Sequence, residues 1–78
     1  MTGDDWLYQP GQLTFLIPGA GLWFNQTLID YVRRVWREEL CLVIGTSAGV
    51  ISNNWRPTLV VTSDGRLLWT SEHYLRQV

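Results

Sequence analysis

Apolar positions along the chain fall into a few patterned stretches, and each stretch predicts an element. In Gln12-Leu13-Thr14-Phe15-Leu16-Ile17 the alternation puts Leu13, Phe15 and Ile17 on one side of an extended chain, and Pro18-Gly19 ends the run, so a first strand is predicted here. After Asn25, a good N-cap residue, Leu28, Ile29, Val32, Val35, Trp36 and Leu40 recur at spacings of one, three and four. That spacing predicts a helix over 26–39, with Asp30, Arg33, Arg34, Arg37 and Glu38 on its solvated face and i,i+4 pairs Asp30 with Arg34 and Arg34 with Glu38. Cys41 to Ile44 is short, apolar and β-branched toward its end, which fits a buried strand. Gly45 to Gly49 has turn chemistry, Val50-Ile51 suits a brief returning strand, and Asn53 to Pro57 reads as a second loop.

The strongest local signal is TLVVTSDGRLLWT, residues 58–70, where Asp64-Gly65 sits between two apolar stretches as a two-residue hairpin turn requires. Strands at 58–63 and 66–71 follow. A two-residue loop pairs Thr62 with Leu67, Val61 with Leu68, Val60 with Trp69 and Leu59 with Thr70, so one face carries Leu59, Val61 and Leu68 and the other Val60, Leu67 and Trp69. A three-residue loop changes the pairs but leaves both faces apolar. A small sheet with two apolar faces needs a cover for one of them, from its own helix or from another chain. Glu72 to Leu75 suits a single helical turn, and Gln77-Val78 a last short strand.

Length then limits the answer to one core, because 78 residues cannot be divided into two. A tail over 1–8 and a single domain over 9–78 are expected. Apolar residues make up 46 % of the chain and charged residues 17 %, with five Trp, so there is enough to fold and little charge to cover the surface. Six arginines, no lysine and seven carboxylates give a net charge of −1, which disfavours nucleic acid as a partner. No run approaches the ~18 apolar residues of a membrane span, so a soluble domain without a membrane partner is expected. The single Cys41 lies in an apolar run and reads as a buried, inert thiol.

One motif invites a catalytic reading. Gly45-Thr46-Ser47-Ala48-Gly49 fits G-x-S-x-G, and Asp64 and His73 follow in the order of a serine hydrolase triad; together with Pro18-Gly19-Ala20-Gly21 the stretch looks like the opening of a patatin-type lipid hydrolase. Three physical points oppose it. The breakers between Gly49 and Pro57 leave no helix after the serine, Asp64 is committed to a hairpin tip, and a sheet with helices on both faces needs at least twice this length. Ser47 is therefore read as a loop residue and His73 as a surface residue, and no catalytic residue, metal or cofactor is assigned.

The order of the predicted elements, together with Pro10-Gly11-Gln12-Leu13, Leu42-Val43-Ile44-Gly45, and Asp64-Gly65 followed by Trp69 and Leu75, resembles the small SH3-like proteins encoded by tailed bacteriophages. The resemblance implies a mainly β fold with one helix, an α+β chain in which an SH3-like antiparallel barrel carries a helical insertion after its first strand. Five Trp in so small a domain exceed what one core readily absorbs, and this surplus of apolar surface points to a non-enzymatic protein-protein interaction module, such as a virion component for head decoration or connection, located in the virion or the host cytoplasm. A phage regulator binding a host protein is the alternative, with single-stranded nucleic-acid binding and a patatin-like hydrolase behind it. Partner contact, by another protein or by self-association in an assembly, is expected at Trp69, Val60, Leu67, Trp55, Arg56 and Trp23, since Trp and Arg anchor interfaces. Trp36 is placed in the core with the helix's apolar stripe.

Overall fold

The computed structural model describes residues 8–26, 29–46 and 56–78. Seven strands form one antiparallel sheet: β1 (Leu13–Leu16), β2 (Gly21–Trp23), β3 (Tyr31–Arg34), β4 (Glu39–Thr46), β5 (Pro57–Val61), β6 (Leu67–Ser71) and β7 (Leu75–Gln77), with a 3-10 turn at Glu72–Tyr74 before the last. Their spatial order is β3-β2-β6-β5-β4-β1-β7. Tyr8, Leu16, Ala20, Leu22, Val35, Cys41, Val43, Val60, Leu68 and Leu75, drawn from nearly every strand and the segments between them, meet in one cluster. No second layer exists among the described residues, so the sheet buries one face by curling around it.

The helix expected over 26–39 is absent, and with it the α+β class and the barrel with a helical insertion: the chain is mainly β, and its helical content among the described residues is the 3-10 turn. Asn25, expected to cap that helix, closes a loop instead. Its side-chain oxygen accepts from Ile29 N at 3.2 Å, its amide donates to Asp30 Oδ2 at 2.8 Å, and Phe24 N donates to Asp30 O at 2.8 Å. The chain then reverses into β3 along β2. The stripe is dispersed: Val35 is buried, Val32 half-buried, and Ile29 and Trp36 are 73 % and 81 % exposed, so Trp36 is no core residue. Tyr31, Val32 and Val35 suit a pleated surface, and tertiary pairing with β2 overrides the helical spacing. The charges pair across strands rather than along a helix, Arg33 with Glu39 and Arg76 with Glu38.

The DG hairpin forms, one residue out of the expected register. Its pairs are Pro57 with Ser71, Thr58 with Thr70, Leu59 with Trp69, Val60 with Leu68 and Val61 with Leu67. The loop holds three residues, Ser63 to Gly65, closed by Thr62 N donating to Arg66 O at 2.9 Å. Gly65 sits at φ +83, the left-handed conformation that ends a three-residue hairpin loop. Thr62 Oγ1 donates to Asp64 and accepts from Arg66 N, so side chain and backbone select the same turn.

Candidate interaction surface

The register decides which residues the sheet hides. In β5 and β6, Thr58, Val60, Thr62, Leu68 and Thr70 point into the core and are buried, while Leu59, Val61, Leu67 and Trp69 point outward. In β1, Thr14 and Leu16 are buried and Leu13 and Phe15 face out; in β4, Cys41 and Val43 are buried and Leu40, Leu42 and Ile44 face out. Three of these strands, β1, β5 and β6, thus turn a threonine inward beside a larger apolar residue that faces out. Thr70 Oγ1 donates to Gly21 O at 2.8 Å, Thr14 Oγ1 lies 3.2 Å from Cys41 Sγ, and Thr58 Oγ1 donates to Arg56 O at 3.4 Å, whereas the buried Thr46 Oγ1, opposite Thr58, makes no hydrogen bond. Burial holds the Cys41 thiol above its ordinary pKa, as an inert thiol requires.

Strand pairing assembles the outward residues into rows. Leu13 faces Leu42, Leu42 faces Val61, and Val61 faces Leu67, which makes one apolar row four strands wide. Beside it Leu59 faces Trp69 and Trp69 faces Trp23, and on the other side Phe15 faces Leu40. No outward position of β1, β4, β5 or β6 in these rows is charged. Leu67 is 59 % and Leu13 50 % exposed, the highest values in the rows. Arginines stand at the rim, Arg76 over the Phe15 ring at 5.3 Å and Arg66 over the Phe24 ring at 5.5 Å.

Of the expected contact residues, Trp69, Leu67 and Trp23 lie on this face. Val60 does not: it is fully buried, because the one-residue shift pairs it with Leu68 on the core side, and Leu59 and Val61 take the outward places. Trp23 is half-buried, its ring edge-on to Tyr31 at 5.8 Å and stacked on Tyr74 at 6.4 Å, folded back over Gly21. A Cβ on Gly21 would meet the indole at 2.8 Å from Cζ3, so this glycine admits the ring. Arg56 is anchored beside the 3-10 turn, its Nε 3.9 Å from the buried Glu72 carboxylate and its carbonyl accepting from Glu72 N at 3.0 Å. Trp55 lies outside the described residues. Leu13, Leu40, Leu42, Leu59 and Val61 were not singled out as contacts; for Leu13, Leu59 and Val61 the neighbouring threonines in LTFL and TLVVT carry a signal, and for Leu40 and Leu42 the run ELCLVI carries none.

The triad reading gains no support from the geometry. Ser47 lies outside the described residues. Asp64 is held at the hairpin tip by the Thr62 hydroxyl and lies 3.8 Å from Arg33, whereas His73 lies in the 3-10 turn beyond the far end of β6. Five residues of strand span roughly 16 Å, too far for that carboxylate to orient the imidazole. The Thr62 hydrogen bond, aided by Arg33 and Arg66, lowers the Asp64 pKa. Among the described residues no group of His, Cys, Asp and Glu has the makings of a metal site, and no helix is long and apolar enough to cross a membrane. Near β7, Tyr8, Leu75, Arg76 and Gln77 line a shallow recess, where Tyr8 OH donates to Leu75 O at 2.8 Å and burial, then the Glu72 charge, raises the phenol's pKa.

Compared with known protein families, curated proteins and solved structures, the chain matches none of them.

Proposed function

We propose that this chain is a non-enzymatic protein-protein interaction module whose contact surface is the outer face of β1, β4, β5 and β6. The observation that carries the reading is a second apolar face: with Leu16, Cys41, Val43, Val60 and Leu68 already in the core, the same strands also turn Leu13, Phe15, Leu40, Leu42, Leu59, Val61, Leu67 and Trp69 outward. A lone exposed leucine means little, but contiguous apolar rows rimmed by arginine have the composition of an interface. The absence of cations within the rows supports a protein partner over a phosphate backbone. The resemblance of its Pro10-Gly11-Gln12-Leu13 and Leu42-Val43-Ile44-Gly45 stretches to small tailed-phage proteins is the ground for reading it as a virion structural component, for head decoration or connection, with a regulator of a host protein as the alternative; mass spectrometry of purified particles separates the two. Light scattering combined with hydrophobic-dye fluorescence tests the surface itself. Association or dye binding that Leu67→Glu removes is the expected result, and a strict monomer that binds no dye overturns the reading.

A further inference from the structure

We infer that the loop from β3 to β4 is a second contact point of this interaction module, and that it takes an acidic segment of another protein, with carboxylates on Arg34 and Arg37 and an apolar side chain between them on Trp36. The assignment rests on the interaction role just proposed but on none of the outer-face residues. Its first ground is where the uncompensated cations are. Arg33 pairs with Glu39 at 3.0 Å, Arg56 with Glu72 at 3.9 Å and Arg76 with Glu38, while Arg66 lies over the Phe24 ring. Among the described residues Arg34 and Arg37 have no such partner, although Glu38 and Glu39 follow them in the chain, because both acids are taken up by other arginines. A chain of net charge −1 therefore carries two unneutralised positive charges on one loop. The second ground is the indole between them. Val35 is 1 % exposed and both its backbone groups are tied, Val35 N donating to Ala20 O at 2.8 Å and Gly19 N donating to Val35 O at 2.6 Å. With Val35 turned into the core, the alternation of an extended chain turns Arg34 and Trp36 away from it, and Trp36 is 81 % exposed. Arg34 also stands opposite Gly21, which has no side chain to cover it. A buried anchor thus holds out an aromatic ring between two arginines, the residue types that most often carry binding energy at protein interfaces. The third ground is the number of cations. Arginine forks take carboxylate and phosphate alike, but two of them with one ring are too few to follow a phosphate backbone or to hold an anionic bilayer, and they match a short acidic segment whose carboxylates flank an apolar residue.

The probe is a synthetic peptide in which glutamate alternates with leucine, titrated into the full chain up to about 1 mM, the range of a weak contact. Nuclear magnetic resonance follows the backbone amides of Arg34 and Arg37 and the indole N–H of Trp36. These signals should shift saturably, less so as salt is added, and should stay in place with the same peptide carrying glutamine for glutamate. Arg34→Gln, Arg37→Gln and Trp36→Ala should each weaken the peptide by about tenfold, whereas Leu67→Glu on the outer face should leave its binding unchanged. The three substituted side chains are exposed, so the spectrum elsewhere stays that of the wild type. No saturable shift, a shift that survives both arginine substitutions, or tighter binding of oligothymidylate or of phosphatidylserine vesicles overturns the assignment. Loss of the peptide in Leu67→Glu overturns it too, by moving the contact to the outer face. Where the peptide fails, bound hydrophobic dye that Leu67→Glu removes leaves the interaction role standing without this loop, and a chain that binds neither peptide nor dye loses both readings.

Discussion

At the scale of single residues, buried threonines mark the inner face of β1, β5 and β6. Thr70 is fully buried with its hydroxyl on the Gly21 carbonyl, a contact that ties β6 to β2 where the ladder between them has a single aligned pair, Trp23 with Trp69. Valine fits the same volume but leaves that carbonyl without its donor. Thr70→Val should therefore destabilise the fold by about 1–2 kcal/mol, read from the urea midpoint, despite the gain in hydrophobicity. An unchanged or raised midpoint would show that the hydroxyl is not what holds threonine there. Asp64 makes a second residue-scale prediction, through pH. Its folded pKa is lowered by the Thr62 hydroxyl first and by Arg33 and Arg66 as well. A carboxylate depressed in the folded state contributes stability that is complete above its unfolded pKa, about 3.9, and is lost as pH falls through the folded value. Asp64→Asn keeps an acceptor for Thr62 but does not titrate. The variant should be less stable than wild type at pH 7, and the gap should close at pH values below the usual carboxylate range; a gap independent of pH would mean that the charge contributes nothing.

At the scale of elements, what could be read from the sequence divides by the kind of signal. Strands at 12–17, 41–44, 58–63 and 66–71, the single turn near 72 and a short last strand all have counterparts, because alternation, Pro-Gly breaks and the DG turn act locally. The helix failed because its evidence, an N-cap residue and an apolar spacing, was local and fits a loop and strand as well. Val32 and Val35 fit a helical stripe and a strand equally well, and what chose the strand was Asn25 closing a loop onto Asp30 together with a free edge on β2, information that no window of the sequence contains. β2 was missed because Gly21-Leu22-Trp23 is too short to show a period. Its glycine has a tertiary purpose, to make room for the Trp23 ring. Gly21→Ala should displace that indole from between Tyr31 and Tyr74, changing the near-ultraviolet circular dichroism and costing about 1–3 kcal/mol. A spectrum and midpoint like the wild type would mean that the ring swings aside freely.

At the scale of the whole molecule, a seven-stranded sheet has only one inside, and the choice of which face becomes the inside fixes the candidate site. Two-sided hydrophobicity was legible in the hairpin sequence. Which residues form the outer face was not, because the sides depend on a single residue of loop length, and Val60 changed sides with it. Leu67 and Leu68 offer a direct test. They are adjacent and chemically identical, yet Leu68 is 1 % exposed in the core and Leu67 is 59 % exposed outside. Leu68→Ala should cost about 2–5 kcal/mol through lost burial and the cavity left behind. Leu67→Ser should change the stability of the separated chain by no more than about 0.5 kcal/mol, measured by urea denaturation at a concentration where the chain is monomeric. The reverse order would put the opposite face of β6 in the core and, with it, remove Leu13, Leu42 and Val61 from the surface. Equal costs would mean that the outer face is covered within the chain itself, since only a leucine packed on both sides of the sheet makes both substitutions expensive.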